Sequence, residues 1–221
     1  MNKPISLSAR AYEQLREAIL SGEIQPGQAL FENHLTAALD MSRTPIREAL
    51  QGLARDGYLQ ELPDRGYTVP RPSLDDLREF FELREVLEAA AARYAALRAH
   101  ADEVAELQRL CERYQDEADL ARWHELGARF HALIVQSARN RRLAGRLTEL
   151  TVQIDLSRRS VIYAGPAWRD TAVQDHRAIC EAIACRDEAA AQQAAALHVQ
   201  HSYQATLRAY QPEAFARQKT A

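Results

Sequence analysis

Sulfur is scarce in this chain. Three cysteines, Cys111, Cys180 and Cys185, are an odd number with no paired-ligand spacing, which excludes a disulfide framework and a cysteine-rich zinc module. They read as small buried hydrophobes in a reducing compartment. Glycine is scarce too, at 8 of 221 residues, and alanine is abundant, which favours helices over tight hairpins. No apolar run is long enough to span a bilayer, and the opening MNKPISLSAR has no apolar core to act as a secretion signal. The expectation is a cytoplasmic protein with no membrane partner. Basic excess is also missing: 28 Lys and Arg stand against 31 Asp and Glu, for a net charge of −3. Residues 1–70 alone carry 7 basic against 9 acidic side chains. Bulk charge therefore gives no argument for a nucleic-acid partner, and any such argument must come from where the arginines stand.

The apolar spacing changes along the chain. Ala11, Leu15, Ala18 and Ile19 follow helical periodicity, and Ser21-Gly22 with the QPGQ turn ends that segment. FENHLTAALDM reads as a second short helix with Leu35, Ala38 and Leu39 on one side. SRTPIREALQGLARDG reads as a third, with Ile46, Leu50 and Leu53 inward and Gly57 at its end. YLQEL, PDRG and YTVP then predict a short hairpin. Three helices and a terminal hairpin are the order of a winged helix-turn-helix. PRPS follows as a linker, and beyond it helical segments are expected at 74–98, 101–119, 120–138, 141–163, 166–186 and 187–210. The fold class is therefore mainly α. A winged helix-turn-helix domain is expected at 1–70, a linker at 71–73, an all-α six-helix bundle at 74–212, and a tail at 213–221.

Within MSRTPIREAL, two cations and a proline occupy the start of a helix, where the amide dipole ordinarily favours acids. Arg43 and Arg47 are one turn apart and share a face. An incoming phosphate or base edge would resolve the conflict: arginine grips guanine or phosphate with a two-pronged fork, and Ser42 and Thr44 cap the helix or reach phosphate. The ordinary alternative is two solvated surface arginines, with Arg47 paired to Glu48 or Gln51.

LTAALDMSRTPIREALQGLARDGYLQELPDRGYTVP resembles the DNA-binding domain of the GntR family of bacterial transcription regulators, with SRTPIREAL and RGYTVP as its signature. The resemblance spans about residues 8–70. It implies that Arg43, Thr44 and Arg47 contact double-stranded DNA, that Ser42 lies near phosphate, and that Arg65 and Gly66 at the wing tip approach the minor groove. Asn33 stands where some relatives carry a DNA-contacting arginine.

In the first long helix after the linker, Leu77, Phe80, Arg84, Leu87, Ala91 and Tyr94 follow one stripe, which Arg84 interrupts. A buried cation needs a partner. Either Glu88, one turn on, forms an internal ion pair with it, or Arg84 clamps an effector carboxylate. His131, His176 and His198 fall on apolar faces of three different segments, and each reads as a hydrogen-bonded core residue or as a metal ligand. Three imidazoles together hold zinc or a similar ion and leave coordination sites open. His201, one turn after His198, is a candidate for the same cavity.

FELREVLEAAAARYAA and RFHALIVQSARN resemble the FCD ligand-binding domain of the FadR-type branch of the GntR family, and six helices suggest its shorter VanR-like form. The resemblance implies a small-acid effector and, in many members, a divalent metal such as Zn or Ni held by residues matching His131, His176 and His198. Those members place an aspartate one turn before the first histidine, where this chain has Gly127. Glycine at that position predicts space for a larger effector or an extra water. The combined reading is a ligand-responsive repressor, not an enzyme, that binds a palindromic operator as a homodimer. A three-histidine metalloenzyme is the rival, and the chain has no H-E-x-x-H pair, no nucleophile elbow and no evident general base to support it. A helical scaffold without an effector is the other rival.

Overall fold

The computed structural model describes residues 6–64, 66–162 and 166–210, and only the backbone of 158–162, 166–167 and 209–210. The chain divides into two units, Met1–Ser73 and Leu74–Ala221.

In the first unit, α1 (Leu7–Ser21) and α2 (Glu32–Leu39) both pack on α3 (Arg43–Asp56). The Ser6 hydroxyl caps α1 by accepting the Ala9 amide. Ala11, Leu15 and Ile19 of α1 meet Ile46, Leu50 and Leu53 of α3 in a sealed core. Each of these large aliphatic side chains contributes about 1.5–3 kcal/mol by leaving water. Gly57 ends α3 in the left-handed conformation, φ 91°, and its amide bonds back to Leu53 and Ala54. The expected hairpin is β2 (Gln60–Glu61) with β3 (Tyr67–Thr68), closed by the Leu62 amide on the Gly66 carbonyl at 2.8 Å. A third strand, β1 (Ala29–Leu30), was not foreseen. It pairs antiparallel with β3 in the sheet order β1-β3-β2, with Leu30 opposite Tyr67. Two residues are too short a run for alternation to register.

The segment after the wing is held to this unit. Gly27 donates its amide to the Val69 carbonyl at 2.9 Å, and Arg71 Nε donates to the Pro26 carbonyl at 2.8 Å. Arg71 lies over Gly27, whose φ is +80°, and a Cβ there would stand 2.5 Å from Arg71 Nε.

In the second unit, α4 (Leu74–Arg98) and α10 (Glu188–Tyr210) form the longest packed pair, with α9 (Pro166–Ala184) against both. Ala91, Ala92, Ala95 and Ala96 of α4 and Ala191 and Ala195 of α10 are buried, and such small side chains let helix axes approach closely. α5 (Ala101–Asp116) packs on α6 (Leu120–Ser137) and α9. The expected breaks carry caps: His100 with Glu103 forms a capping box, Asp119 accepts the Arg122 amide, and Asn140 accepts the Leu143 amide.

One break was missed. The helix expected over 141–163 is two, α7 (Arg141–Glu149) and α8 (Thr151–Ile162), so the described residues hold seven helices in this unit where six were expected. The count thus gives no support to the shorter VanR-like form. At the joint, the Leu150 amide turns to the Leu147 carbonyl, an i→i−3 bond, while Thr148 and Thr151 hydroxyls bond the carbonyls of Ala144 and Leu147. Threonine back-bonding of this kind loosens the helical ladder, and no proline or glycine marks it. The expected tail at 213–221 lies outside the described residues.

Gly27→Ala is expected to destabilise the first unit by about 1–2 kcal/mol from the left-handed backbone alone, and further from displacing Arg71. Chemical denaturation of the variant should recover only part of the loss when Arg71→Ala is added.

Candidate functional site

Two sites emerge, one in each unit. In the first, the turn before α3 and its opening residues present Ser42, Arg43, Thr44 and Arg47, all exposed. Pro45 and Ile46 are buried beneath them. Ser42 stands at the N-cap with no side-chain cap bond, so its hydroxyl is not consumed by the helix. Arg47 pairs with neither Glu48 nor Gln51. Its Nε and Nη2 donate to Glu32 Oε1 and Oε2 at 2.8 and 2.9 Å, a two-pronged pair between α3 and the first residue of α2. These bonds hold the Glu32 carboxyl below its usual range. Arg43 makes no such pair among the described residues. Gly66 is buried, and a Cβ there would stand 2.8 Å from the Phe31 ring, so packing against Phe31 requires glycine at that position. Arg65 lies outside the described residues. Asn33 is exposed on the first turn of α2.

In the second unit, α4, α6, α9 and α10 converge on a small cavity. His131 of α6, His176 of α9 and His198 of α10 offer ligand nitrogens within 4.8 Å of one another. Their ring centroids are 5.0, 5.1 and 4.8 Å apart. Two of the rings are oriented from behind by buried acids. Glu88 Oε2 is 3.2 Å from His131 Nδ1, and Asp175 Oδ2 is 3.3 Å from His198 Nδ1. Each contact assigns the proton to Nδ1 and turns Nε2 inward, the arrangement that carboxylate partners impose on metal-binding histidines. His131 Nε2 and His176 Nε2 are 3.2 Å apart. That spacing is a hydrogen bond when one ring carries the proton. It also matches the edge of a tetrahedron with ligands about 2.0–2.1 Å from zinc, about 3.3 Å. Three imidazoles with carboxylates behind them thus fit a borderline divalent ion.

Arg84 resolves both ways. It is 1% exposed, and its Nε donates to Glu88 Oε1 at 2.5 Å, while its side chain also lines the cavity. Burial pushes the Glu88 carboxyl up, but Arg84 and His131 outweigh it and hold the group well below the usual range. Asp175 is likewise raised by burial and brought below its usual value by His198 and His201. His201 is not among the residues around the cavity. Its Nδ1 sits 3.1 Å from Asp175 Oδ1 and 3.0 Å from Oδ2, the oxygen that also meets His198, and its side chain is 37% exposed.

Gly127 does not open space. A Cβ there would stand 3.1 Å from Tyr114 Cε2 and 3.7 Å from His176 Cε1. The Tyr114 ring fills the position, between Trp123 and His176 with centroids 4.4 Å from each. The cavity is about 30 Å³, enough for a water or two. Tyr114, Trp123 and Trp168 give it an aromatic wall, and His124, Ser157 and Ser202 also reach it. Trp123 Nε1 is buried with no hydrogen-bond partner among the described residues. Sequence reasoning passed over Trp123, Glu88 as an orienter of His131, and Asp175. Only Asp175 left a signal, in its place beside His176 and its spacing from two histidines on the next helix.

A winged-helix unit joined to a helical unit with a polar core cavity is the architecture of a sensor-regulator. The FCD domain pattern matches residues 79–201, and that of the bacterial regulatory proteins of the gntR family matches residues 7–69. An uncharacterized HTH-type transcriptional regulator from an unstable DNA locus of Streptomyces ambofaciens is 31% identical over 93% of this chain and 88% of its own. The HTH-type transcriptional repressor RspR of Escherichia coli is 28% identical over 90% of this chain and 89% of its own. The solved structure of E. coli McbR/YncC shares the fold, with a TM-score of 0.77 at 24% identity over 94% of this chain and 100% of that one. The chain belongs to the GntR family and carries an FCD domain; it is a transcriptional regulator that combines a DNA-binding unit with an effector-binding unit. Among the described residues no helix is long and apolar enough to cross a membrane.

Glu88→Gln removes the charge that balances buried Arg84 and the acceptor that orients His131. The variant is expected to lose about 3–5 kcal/mol of stability, the range for breaking one side of a buried pair. Thermal and denaturant unfolding of the full chain measure it.

Proposed function

We propose that the chain is a cytoplasmic repressor that binds an inverted-repeat operator as a homodimer and is released by a small carboxylate effector held at the three-histidine cavity. The observation that carries the sensing half is the convergence of His131, His176 and His198 within 4.8 Å, two of them oriented by Glu88 and Asp175. A Zn or Ni ion held by these three nitrogens supplies a Lewis-acidic anchor for a carboxylate oxygen. Gly127 provides no acidic ligand, which leaves more of the coordination sphere to effector and water. Arg84 adds positive charge at the same cavity, and Trp123, which also lines it, carries a buried N–H.

A dimer is supported by α4. Leu83, Val86 and Leu97 are 49, 67 and 55% exposed, and with half-buried Ala90 and Tyr94 they lie on one stripe of the helix. Exposed apolar stripes of this kind mark association surfaces. The relationship to a named repressor, RspR, supports the direction of control.

On DNA, Arg43 reads a base edge, and Ser42 and Thr44 meet phosphate. Arg47 already spends Nε and Nη2 on Glu32, so it reaches phosphate with its remaining N–H groups. Arg65 and Gly66 belong to the wing's approach to the minor groove, Gly66 through the backbone position it secures against Phe31.

Operator DNA selected from random sequence tests the whole reading, since inverted half-sites are required of a two-fold dimer. On that operator, Arg43→Ala is expected to cost about 1–3 kcal/mol of specific binding and to relax preference at one base pair. Arg47→Ala should weaken all sequences alike. Equal preference among sequences in the wild type would end the assignment of Arg43. For the cavity, Asp175→Asn is expected to weaken Zn(II) binding about 10–100-fold, measured by calorimetry on untagged protein.

A further inference from the structure

Arg47 and Glu32 commit two strong hydrogen bonds to a pair that adds little to the stability of the fold. Arg47 Nε and Nη2 donate to Glu32 Oε1 and Oε2 at 2.8 and 2.9 Å, and the Arg47 side chain is 56% exposed. A pair this open to solvent is screened, and its contribution is small. Its place matters more, since Arg47 belongs to the exposed opening of α3 that is proposed to meet DNA. We propose that Glu32 is a specificity-determining residue for DNA, an anchored carboxylate that cancels the charge of Arg47 and so suppresses binding to sequences other than the operator.

The carboxylate is held in place by its neighbours. The carbonyl of Phe31 accepts the His34 and Leu35 amides at 3.1 and 3.3 Å. The Phe31 ring lies against Gly66, where a Cβ would stand 2.8 Å away. The backbone of Glu32 is therefore anchored where α2, the wing and α3 meet, and its carboxylate cannot follow a guanidinium that swings away. The bonds from Arg47 hold the carboxyl below its usual range, so it stays ionised at neutral pH.

The charge balance of the unit gives this one acid its weight. Residues 1–70 carry 7 basic against 9 acidic side chains, so attraction to phosphate comes from a few placed arginines. Arg43 and Arg47 put two cations on one face, and Glu32 cancels one of them. Affinity for DNA of any sequence grows with the number of phosphates neutralised, so removing the Glu32 charge adds about one such contact per protomer. On other DNA this is simple gain, because Arg47 has no particular contact there to lose. On the operator the gain is offset, because a guanidinium released from Glu32 must be immobilised on binding. Discrimination is a difference of affinities, and a group that disfavours the wrong partner widens it.

The proposal rests on α3 meeting DNA. The full chain is titrated by fluorescence anisotropy with the operator selected from random sequence and with a scrambled duplex of equal length, over a range of salt. Glu32→Gln is expected to bind the scrambled duplex about three- to tenfold tighter near 0.1 M salt, with a slope of log affinity against log salt steeper by about 0.9 per protomer. Its operator affinity should stay within about twofold of the wild type, so the ratio of the two affinities falls. Glu32→Asp keeps the charge but is one methylene short of Arg47. It is expected to leave the scrambled duplex and its salt slope unchanged and to weaken the operator about three- to tenfold. A merely structural role moves neither the slope nor the ratio, and thermal unfolding verifies that both variants are folded. Glu32→Asp binding the scrambled duplex as tightly as Glu32→Gln would overturn charge as the cause. An unchanged slope and ratio in Glu32→Gln, while Arg43→Ala still loses operator affinity, would overturn the role of Glu32 alone. Wild-type operator affinity in Arg43→Ala would overturn the DNA-facing assignment of α3 and this one with it.

Discussion

Glu88 is an acid buried in a helical core, and such a group must be neutralised by what touches it. It is touched on both sides: Arg84 donates to one oxygen and His131 to the other. The cavity depends on this chain of three. Arg84 keeps the carboxylate charged against the cost of burial, the charged carboxylate fixes the proton of His131 on Nδ1, and that proton leaves Nε2 facing His176. Asp175 repeats the device for His198, with His201 in the place that Arg84 takes for Glu88. A core built this way is costly to assemble from hydrophobic principles alone, since an apolar replacement of similar volume would often be as stable. Its retention fits a site whose purpose is to present inward lone pairs.

The first unit solves a related problem with opposite exposure. Arg47 and Glu32 form their pair at the surface, where solvent screens it and the stability it adds is small. Its effect is geometric. The pair ties the first residue of α2 to the first turns of α3 and holds one guanidinium in place, while Arg43, one turn earlier, makes no ion pair among the described residues. The unit thereby sets a paired cation and an exposed one on a single face. The segment that follows is fixed in its turn by Arg71 on Pro26 and over Gly27.

Much of this was legible in the order of residues. Helix boundaries with capping side chains or glycine could be read directly, because the cap chemistry is local: Gly57, His100 with Glu103, Asp119 and Asn140 each end or begin a helix where the pattern placed a break. The joint at Leu150 escaped because threonine hydroxyls, and not a breaker residue, loosen the ladder there. Strand β1 escaped because two residues carry no period. The three histidines stood out by lying on apolar faces, and the resemblance to the FCD domain placed them together. Arg84 could be read as buried, but whether it served Glu88 or the cavity could not, since both answers satisfy the same rule about buried charge.

By itself, the sequence determined the class of protein, the two-unit organisation and the identity of the inward histidines, because periodicity, caps and motif spacing are properties of neighbouring residues. Tertiary structure decided everything that depends on distance between helices. It took the fork of Arg47 for Glu32, 15 positions away. It gave the position beside Gly127 to the Tyr114 ring, brought Asp175 against both His198 and His201, and put the thiol of Cys111 on the His176 carbonyl. Each of these is a competition among side chains for one partner or one volume, and only the packed chain sets which of them arrive.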